Sequence, residues 1–158
     1  MPNRIGIYCV VLVAVFAGIV SAKTVVDAKL SLQVELPDDW KLEEGDRTSV
    51  STPEGFSLIV MRVEGKLPAD LVKDLDKTLT GLLEKSQITD TDKVTANGIA
   101  GEKAIGYAMR DGNRVRFAVT ISSKDAAGSL VVLAVGPETE FKRHLPDSDR
   151  AFESVKAK

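Results

Sequence analysis

The sequence predicts an α+β fold: a mostly antiparallel sheet of about six to seven strands packed with helices as an α-β-α sandwich. Three observations predict it. Leu30, Leu32, Val34 and Leu36 alternate with Ser31, Gln33 and Glu35, the period of two expected of a strand with one wet face. The stretch from Pro68 to Ser86, PADLVKDLDKTLTGLLEKS, instead places Leu71, Val72, Leu75, Leu79, Leu82 and Leu83 at spacings of three and four, the stripe of an amphipathic helix. The remaining apolar runs are short and are punctuated by Pro, Gly, Asn and Asp. One helix of this kind cannot bury its stripe alone, so it needs the sheet.

The chain opens on an address rather than on the domain. Arg4 precedes an apolar run from Ile5 to Val20, and Val20-Ser21-Ala22 follows, the layout of a secretory signal peptide cut after Ala22. The rival reading is an uncleaved membrane anchor, but the run is about 16 residues and contains Gly6 and Gly18, short for the roughly 20 that a spanning helix needs. Cys9 sits inside this run and lacks the exit of a lipoprotein cysteine. A chain starting at Lys23 holds no cysteine, which excludes disulfides, thiolate chemistry and cysteine-ligated metal. Loss of Arg4 moves the formal charge from -2 to about -3, so composition makes no case for nucleic acid or for an anionic membrane. At about 136 residues the mature chain buries enough surface for one core without staples. The expected division is a signal peptide over 1–22, a short leader over 23–29 and a single domain over 30–158.

The elements follow in order. The strand over 30–36 ends at Pro37-Asp38-Asp39, and Trp40, the single tryptophan, is expected to pack over one end of the core, with a place on a pocket rim as the other reading. Arg47–Thr52 is a second short strand closed by Pro53-Glu54-Gly55. Phe56–Glu64 is apolar at nearly every position to Val63, as in a strand covered on both faces. After Gly65 comes the long crossover helix over about 68–86, with Pro68 in its first turn and Lys85 in its last. Asp92–Ala96 reads as a strand ending in the turn dipeptide Asn97-Gly98. Gly101–Arg110 and Arg114–Ser123 form a hairpin around Asp111-Gly112-Asn113. A three-residue loop with Asn113 left-handed is expected, because it sets Val115, Phe117, Val119 and Ile121 beside Ile105, Tyr107 and Met109. Leu130–Val135 is a last apolar strand, and Glu138–Lys158 is a terminal helix in two pieces interrupted at Pro146.

These residues carry a resemblance. The run Leu36-Pro37-Asp38-Asp39-Trp40, the words Ser51-Thr52-Pro53-Glu54-Gly55 before an apolar strand, the Thr95-Ala96-Asn97-Gly98-Ile99-Ala100-Gly101 turn before a long hairpin, and the closing Phe152-Glu153-Ser154-Val155 resemble the PsbP-like superfamily, with its bacterial periplasmic DcrB-like branch. The resemblance spans about Leu30 to Val155 and contains no catalytic motif. It implies an α-β-α sandwich serving as a binding or accessory module, often in exported proteins, without enzymatic activity; no cofactor is expected.

No constellation names a reaction. His144, the single histidine, follows Lys142-Arg143 near a helix end and reads as a solvated or C-terminal helix residue favoured by the helix dipole; no Gly-x-Ser-x-Gly elbow accompanies it. Asp90-Thr91-Asp92 lacks the glycine and distal glutamate of a calcium loop. Asp38, Asp39, Glu43, Glu44 and Asp46 crowd the turns around Trp40, and a small hydrolase using such carboxylates is the alternative function. With a three-residue loop Arg110 falls opposite Arg114, with Arg116 on the same outward face. Three guanidinium groups in one neighbourhood call for an offset by Glu102, an acidic loop, or a bound anion or acidic partner. The sequence therefore predicts a periplasmic or secreted, non-enzymatic binding domain. Its partner is a protein or small molecule of the envelope, and it neither binds nucleic acid nor stays inserted in a membrane after cleavage.

Overall fold

The computed structural model describes residues 22–158, so the predicted signal peptide lies outside the described residues except for Ala22. In chain order the elements are β1 (Ala22–Asp27), β2 (Leu32–Pro37), β3 (Lys41–Glu43), β4 (Thr48–Ser51), β5 (Ser57–Glu64), α1 (Pro68–Lys73), α2 (Leu75–Thr78), β6 (Glu84–Ala96), β7 (Ile99–Arg110), β8 (Asn113–Ser122), β9 (Gly128–Gly136), α3 (Glu138–Arg143), α4 (Leu145–Glu153) and β10 (Lys156–Ala157). Seven strands form one sheet in the order β3-β4-β5-β9-β8-β7-β6, and β1-β2-β10 form a small second sheet. Neighbouring strands run antiparallel throughout. This is the predicted α+β sandwich, with more strands than the sequence suggests and with β6, β7 and β9 longer than their apolar runs.

Two cores lie on the two faces of the large sheet. On one, Leu32, Val34 and Leu36 of β2 and Phe141, Ala151 and Phe152 of α3 and α4 pack on Leu58, Val60, Val132 and Ala134. On the other, Leu71, Leu75, Leu79 and Leu83 pack on Ala104, Ala108, Phe117, Val119 and Leu133. β9 sits in the middle of the sheet, beside β5, and is buried at all nine positions, which makes it the central strand.

Three expectations are corrected here. The leader over 23–29 is strand β1 and its turn: residues 22–27 pair with 32–37, and Leu30 N–H donates to Asp27 Oδ1 at 2.9 Å to close the hairpin. The long helix is only α1 and α2, one turn or so each. The stripe is buried as expected, with Leu71, Leu75, Leu79 and Leu83 all at most 3 % exposed, but the helical backbone does not continue. Thr78 and Thr80 turn their hydroxyls onto the carbonyls of Leu71, Asp74, Asp76 and Lys77, Gly81 takes φ +80°, and Lys85 takes φ 51°. From Glu84 the chain is extended, and Asp76 holds the junction by accepting from both the amide and the hydroxyl of Ser86. The third correction is the β7–β8 loop. Arg110 pairs with Asn113, so the loop is the two residues Asp111 and Gly112, at φ 51° and 78°. Both left-handed values suit an Asp-Gly turn of the twisted hairpin type.

The Asn97-Gly98 turn between β6 and β7 is as the sequence predicts, with φ 50° and 80°. Its side chain does more than tolerate the turn. Asn97 Nδ2 donates to the carbonyls of Glu153 (2.9 Å) and Val155 (3.0 Å), satisfying backbone acceptors at the end of α4. Asn97→Asp keeps the turn but puts an acceptor where two donated bonds were. Thermal unfolding is expected to show a loss of about 1–2 kcal/mol; an unchanged midpoint would mean that the cap contributes nothing.

Candidate functional site

The register of β7 on β8 decides which arginines meet. Tyr107 pairs with Arg116 and Met109 with Arg114, whereas Ala108 pairs with Val115 and Arg110 with Asn113. Arg114 and Arg116 therefore share the α3/α4 face with Tyr107 and Met109, and Arg110 points to the opposite face. The predicted cluster of three guanidinium groups is corrected to two. The physical cause is the two-residue turn: one residue fewer in the loop moves Arg110 from its place opposite Arg114. Arg110 and Arg114 both reach an open groove of about 670 Å³ beyond the hairpin tip, but from opposite faces of the ribbon.

The two remaining arginines are held by aromatic rings and one carboxylate. The Arg114 guanidinium lies 4.1 Å from the Tyr107 ring centroid, and that of Arg116 lies 5.5 Å from both Tyr107 and Phe141. Contacts of this kind contribute about 0.5–1 kcal/mol each at exposed positions. Glu138, in the first turn of α3, pairs with Arg116 (3.5 Å) and Lys142 (3.3 Å) and accepts from the Tyr107 hydroxyl (3.5 Å), all at the same oxygen. Glu138, not Glu102, is thus the offset that the sequence called for. Arg116 Nε is buried without a hydrogen-bond partner among the described residues.

Trp40 closes one end of the core, as expected. Its ring meets Phe56 edge-on at 5.7 Å and His144 edge-on at 5.0 Å. The acids around it, the carboxylates of the hydrolase alternative, lie on the surface. Asp38, Asp39, Glu43, Glu44 and Asp46 are all exposed, Glu43 pairs with Lys41 at 3.1 Å, and Glu44 pairs with Lys23 at 3.4 Å. His144 is less solvated than the sequence suggests. It ends α3 as predicted, but only 17 % of its side chain is exposed; its ring stacks on Phe56 at 5.1 Å. Nδ1 lies 2.9 Å from Asp147 and Nε2 3.8 Å from Glu140, so both ring nitrogens face carboxylates rather than a hydroxyl nucleophile. The spacings of four and three between Glu140, His144 and Asp147 were the available sequence signal, and the three meet across the junction of α3 and α4.

A cavity of about 250 Å³ opens farther along the same side of the sheet, between β6–β8 and α4. Lys103, Thr120, Ser122, Asp149 and Phe152 line it. No group of histidines, cysteines and carboxylates among the described residues is arranged to hold a metal ion. No described helix is long and apolar enough to cross a membrane.

No family model matches the chain, and no curated protein matches it in sequence. Solved structures do match its fold. The cyanobacterial PsbP, CyanoP, of Synechocystis sp. PCC 6803 superposes with a TM-score of 0.63 at 12 % identity, covering 90 % of this chain and 96 % of that one. LpqN of Mycobacterium tuberculosis, described as involved in cell envelope biogenesis, gives 0.55 at 17 % identity, covering 86 % and 90 %. The Ran-binding protein Mog1p of Saccharomyces cerevisiae gives 0.54 at 12 % identity, covering 87 % and 96 %. The predicted PsbP-like resemblance therefore holds at the level of fold.

Proposed function

We propose that this chain, built on the PsbP fold, is an exported, non-enzymatic binding or accessory module of the cell envelope that docks an acidic partner on the face of Tyr107, Arg114 and Arg116. The observation that carries the reading is the charge balance there. Arg116 and Lys142 share the single carboxylate Glu138, and Arg114 adds an exposed guanidinium stacked on Tyr107, which leaves the face net positive. A planar guanidinium already ordered on a ring loses little freedom when it pairs with a carboxylate, so the face is suited to paired recognition of acids. LpqN and Mog1p show the company this fold keeps: one is described by envelope biogenesis, the other by binding Ran.

Export is supported by the sequence before the domain, an apolar run closed by Val20-Ser21-Ala22. Cleavage after Ala22 removes one residue of β1 and leaves Lys23, which pairs with Leu36 and holds Glu44. Amino-terminal sequencing of the envelope-extracted protein is expected to start at Lys23; a start at Met1 would support the tethered alternative. The docking reading is tested by affinity capture from envelope extract at low and physiological salt. Wild type and Arg110→Gln are expected to retain one saturable partner, weakened by salt. The Arg114→Gln, Arg116→Gln double variant should bind it at least about tenfold more weakly. Equal retention by all three proteins, or by none, would remove this face from the account.

A further inference from the structure

The cavity between β6–β8 and α4 carries chemistry that the docking face does not use. Thr120 lies on the same face of β8 as Arg116, four residues and about 13 Å along the strand. It is 3 % exposed, and its hydroxyl has no hydrogen-bond partner among the described residues. A buried hydroxyl left unpaired destabilises the fold, so its persistence on a cavity wall calls for an occupant that satisfies it. The β7 neighbour of Thr120 is Lys103. Lys103 Nζ stands 3.8 Å from Asp149 Oδ1 of α4 and 5.2 Å from the Phe152 ring centroid. That separation is longer than the roughly 2.8 Å of a tight ammonium–carboxylate bond, and both side chains are partly open, at 25 % and 46 % exposed.

A positive and a negative group held side by side about one ligand-width apart match a molecule that carries the same two charges in the reverse order at a similar spacing. Its carboxylate would lie on the ammonium and its ammonium on the carboxylate, closing a ring of four alternating charges. We infer that this cavity binds a free α-amino acid, whose carboxylate accepts from Lys103 Nζ and the Thr120 hydroxyl and whose ammonium donates to Asp149. The α-carbon separates the two charges by little more than one bond on each side, which is what the 3.8 Å pair requires. Phe152 supplies an apolar wall for a short side chain. The volume, about 250 Å³, is below the roughly 300–1,000 Å³ of sites for larger organic ligands, which selects a single small residue over a peptide.

The test uses protein purified from the envelope fraction and titrated with L-alanine while backbone amide resonances are followed. Saturable shifts are expected at Lys103, Thr120 and Asp149. Acetate, methylammonium and 6-aminohexanoate should each bind at least about tenfold more weakly, the first two for lack of one charge and the third for its long separation. Lys103→Gln and Asp149→Asn should each weaken L-alanine by a similar factor. Thr120→Val separates ligand binding from folding: it should weaken L-alanine about fivefold or more while the melting temperature stays level or rises by a few degrees. The Arg114→Gln, Arg116→Gln double variant should bind L-alanine as wild type does, so this inference and the docking reading fail independently. Absence of a saturable shift with L-alanine, equal binding of 6-aminohexanoate, or a lower melting temperature for Thr120→Val would each overturn it.

Discussion

Phe56→Ala is expected to destabilise the chain by about 3–5 kcal/mol, the range for emptying a buried aromatic site. Phe56 is 0 % exposed and stands where four parts of the chain converge. Its ring touches Trp40 from the turn after β2, Phe141 of α3 at 6.3 Å, and His144 at the junction of α3 and α4. Its backbone closes the Thr52–Phe56 turn at 2.9 Å, and Gly136 at the end of β9 lies so close that an added Cβ would meet Phe56 Cδ2 at 3.0 Å. Removal of the ring therefore leaves Trp40 and His144 without the surface that orders them. Urea denaturation should show the lower midpoint with an unchanged slope, and tryptophan fluorescence should shift toward that of exposed indole. A loss below about 1 kcal/mol would mean that the aromatic cluster is peripheral to stability.

Gly106→Ala comes next, at about 3 kcal/mol. A Cβ at Gly106 would sit 2.0 Å from the carbonyl oxygen of Gln87 and 2.9 Å from its carbon. Both are backbone atoms, so no side-chain rotation can make room. The crowding arises because β6 carries two irregularities against β7, between Glu84 and Gln87 and between Ile88 and Asp90, and these push Gln87 over the glycine. The expected structural signature is loss of amide protection in β6 ahead of β7. Gly45→Ala is the control: nothing lies within 4 Å of its added methyl, and its effect should stay within about 0.5 kcal/mol. Equal effects of the two substitutions would contradict the close approach of β6.

The same glycine explains why the hairpin register was misread from sequence. A three-residue loop seemed better because it set Ile105, Tyr107 and Met109 beside Val115, Phe117 and Val119. The protein instead uses Ala104, Gly106 and Ala108 there, because the α1/α2 layer presses on that face and β6 bulges over it. Small residues mark close approach, not a weak core. Where only local periodicity was needed, as in β2 and in the Leu71, Leu75, Leu79 and Leu83 stripe, the reading held. The length of the helix was not legible, because Thr78, Thr80 and Gly81 act against continuation while the leucine pattern runs straight through them. The candidate face inherited the register error: Arg114 and Arg116 were found, Arg110 was misplaced, and Glu138 and Tyr107 became visible only once α3 was seen lying against β8. The Thr120 cavity had no sequence signal, since a threonine in an apolar strand looks like ordinary β-branched packing.

The docking account stands most directly on one pair of neighbouring positions. Met109 shares the face of Arg114 and Tyr107, and Arg110, one residue on, faces the other way. A photo-crosslinking side chain placed at position 109 in cells, and separately at 110, samples both faces of one strand without altering either arginine of the proposed site. The account predicts a discrete crosslinked partner from position 109 that disappears in the Arg114→Gln, Arg116→Gln background, and none from position 110. Crosslinking from 110 alone, or equally from both, would contradict it.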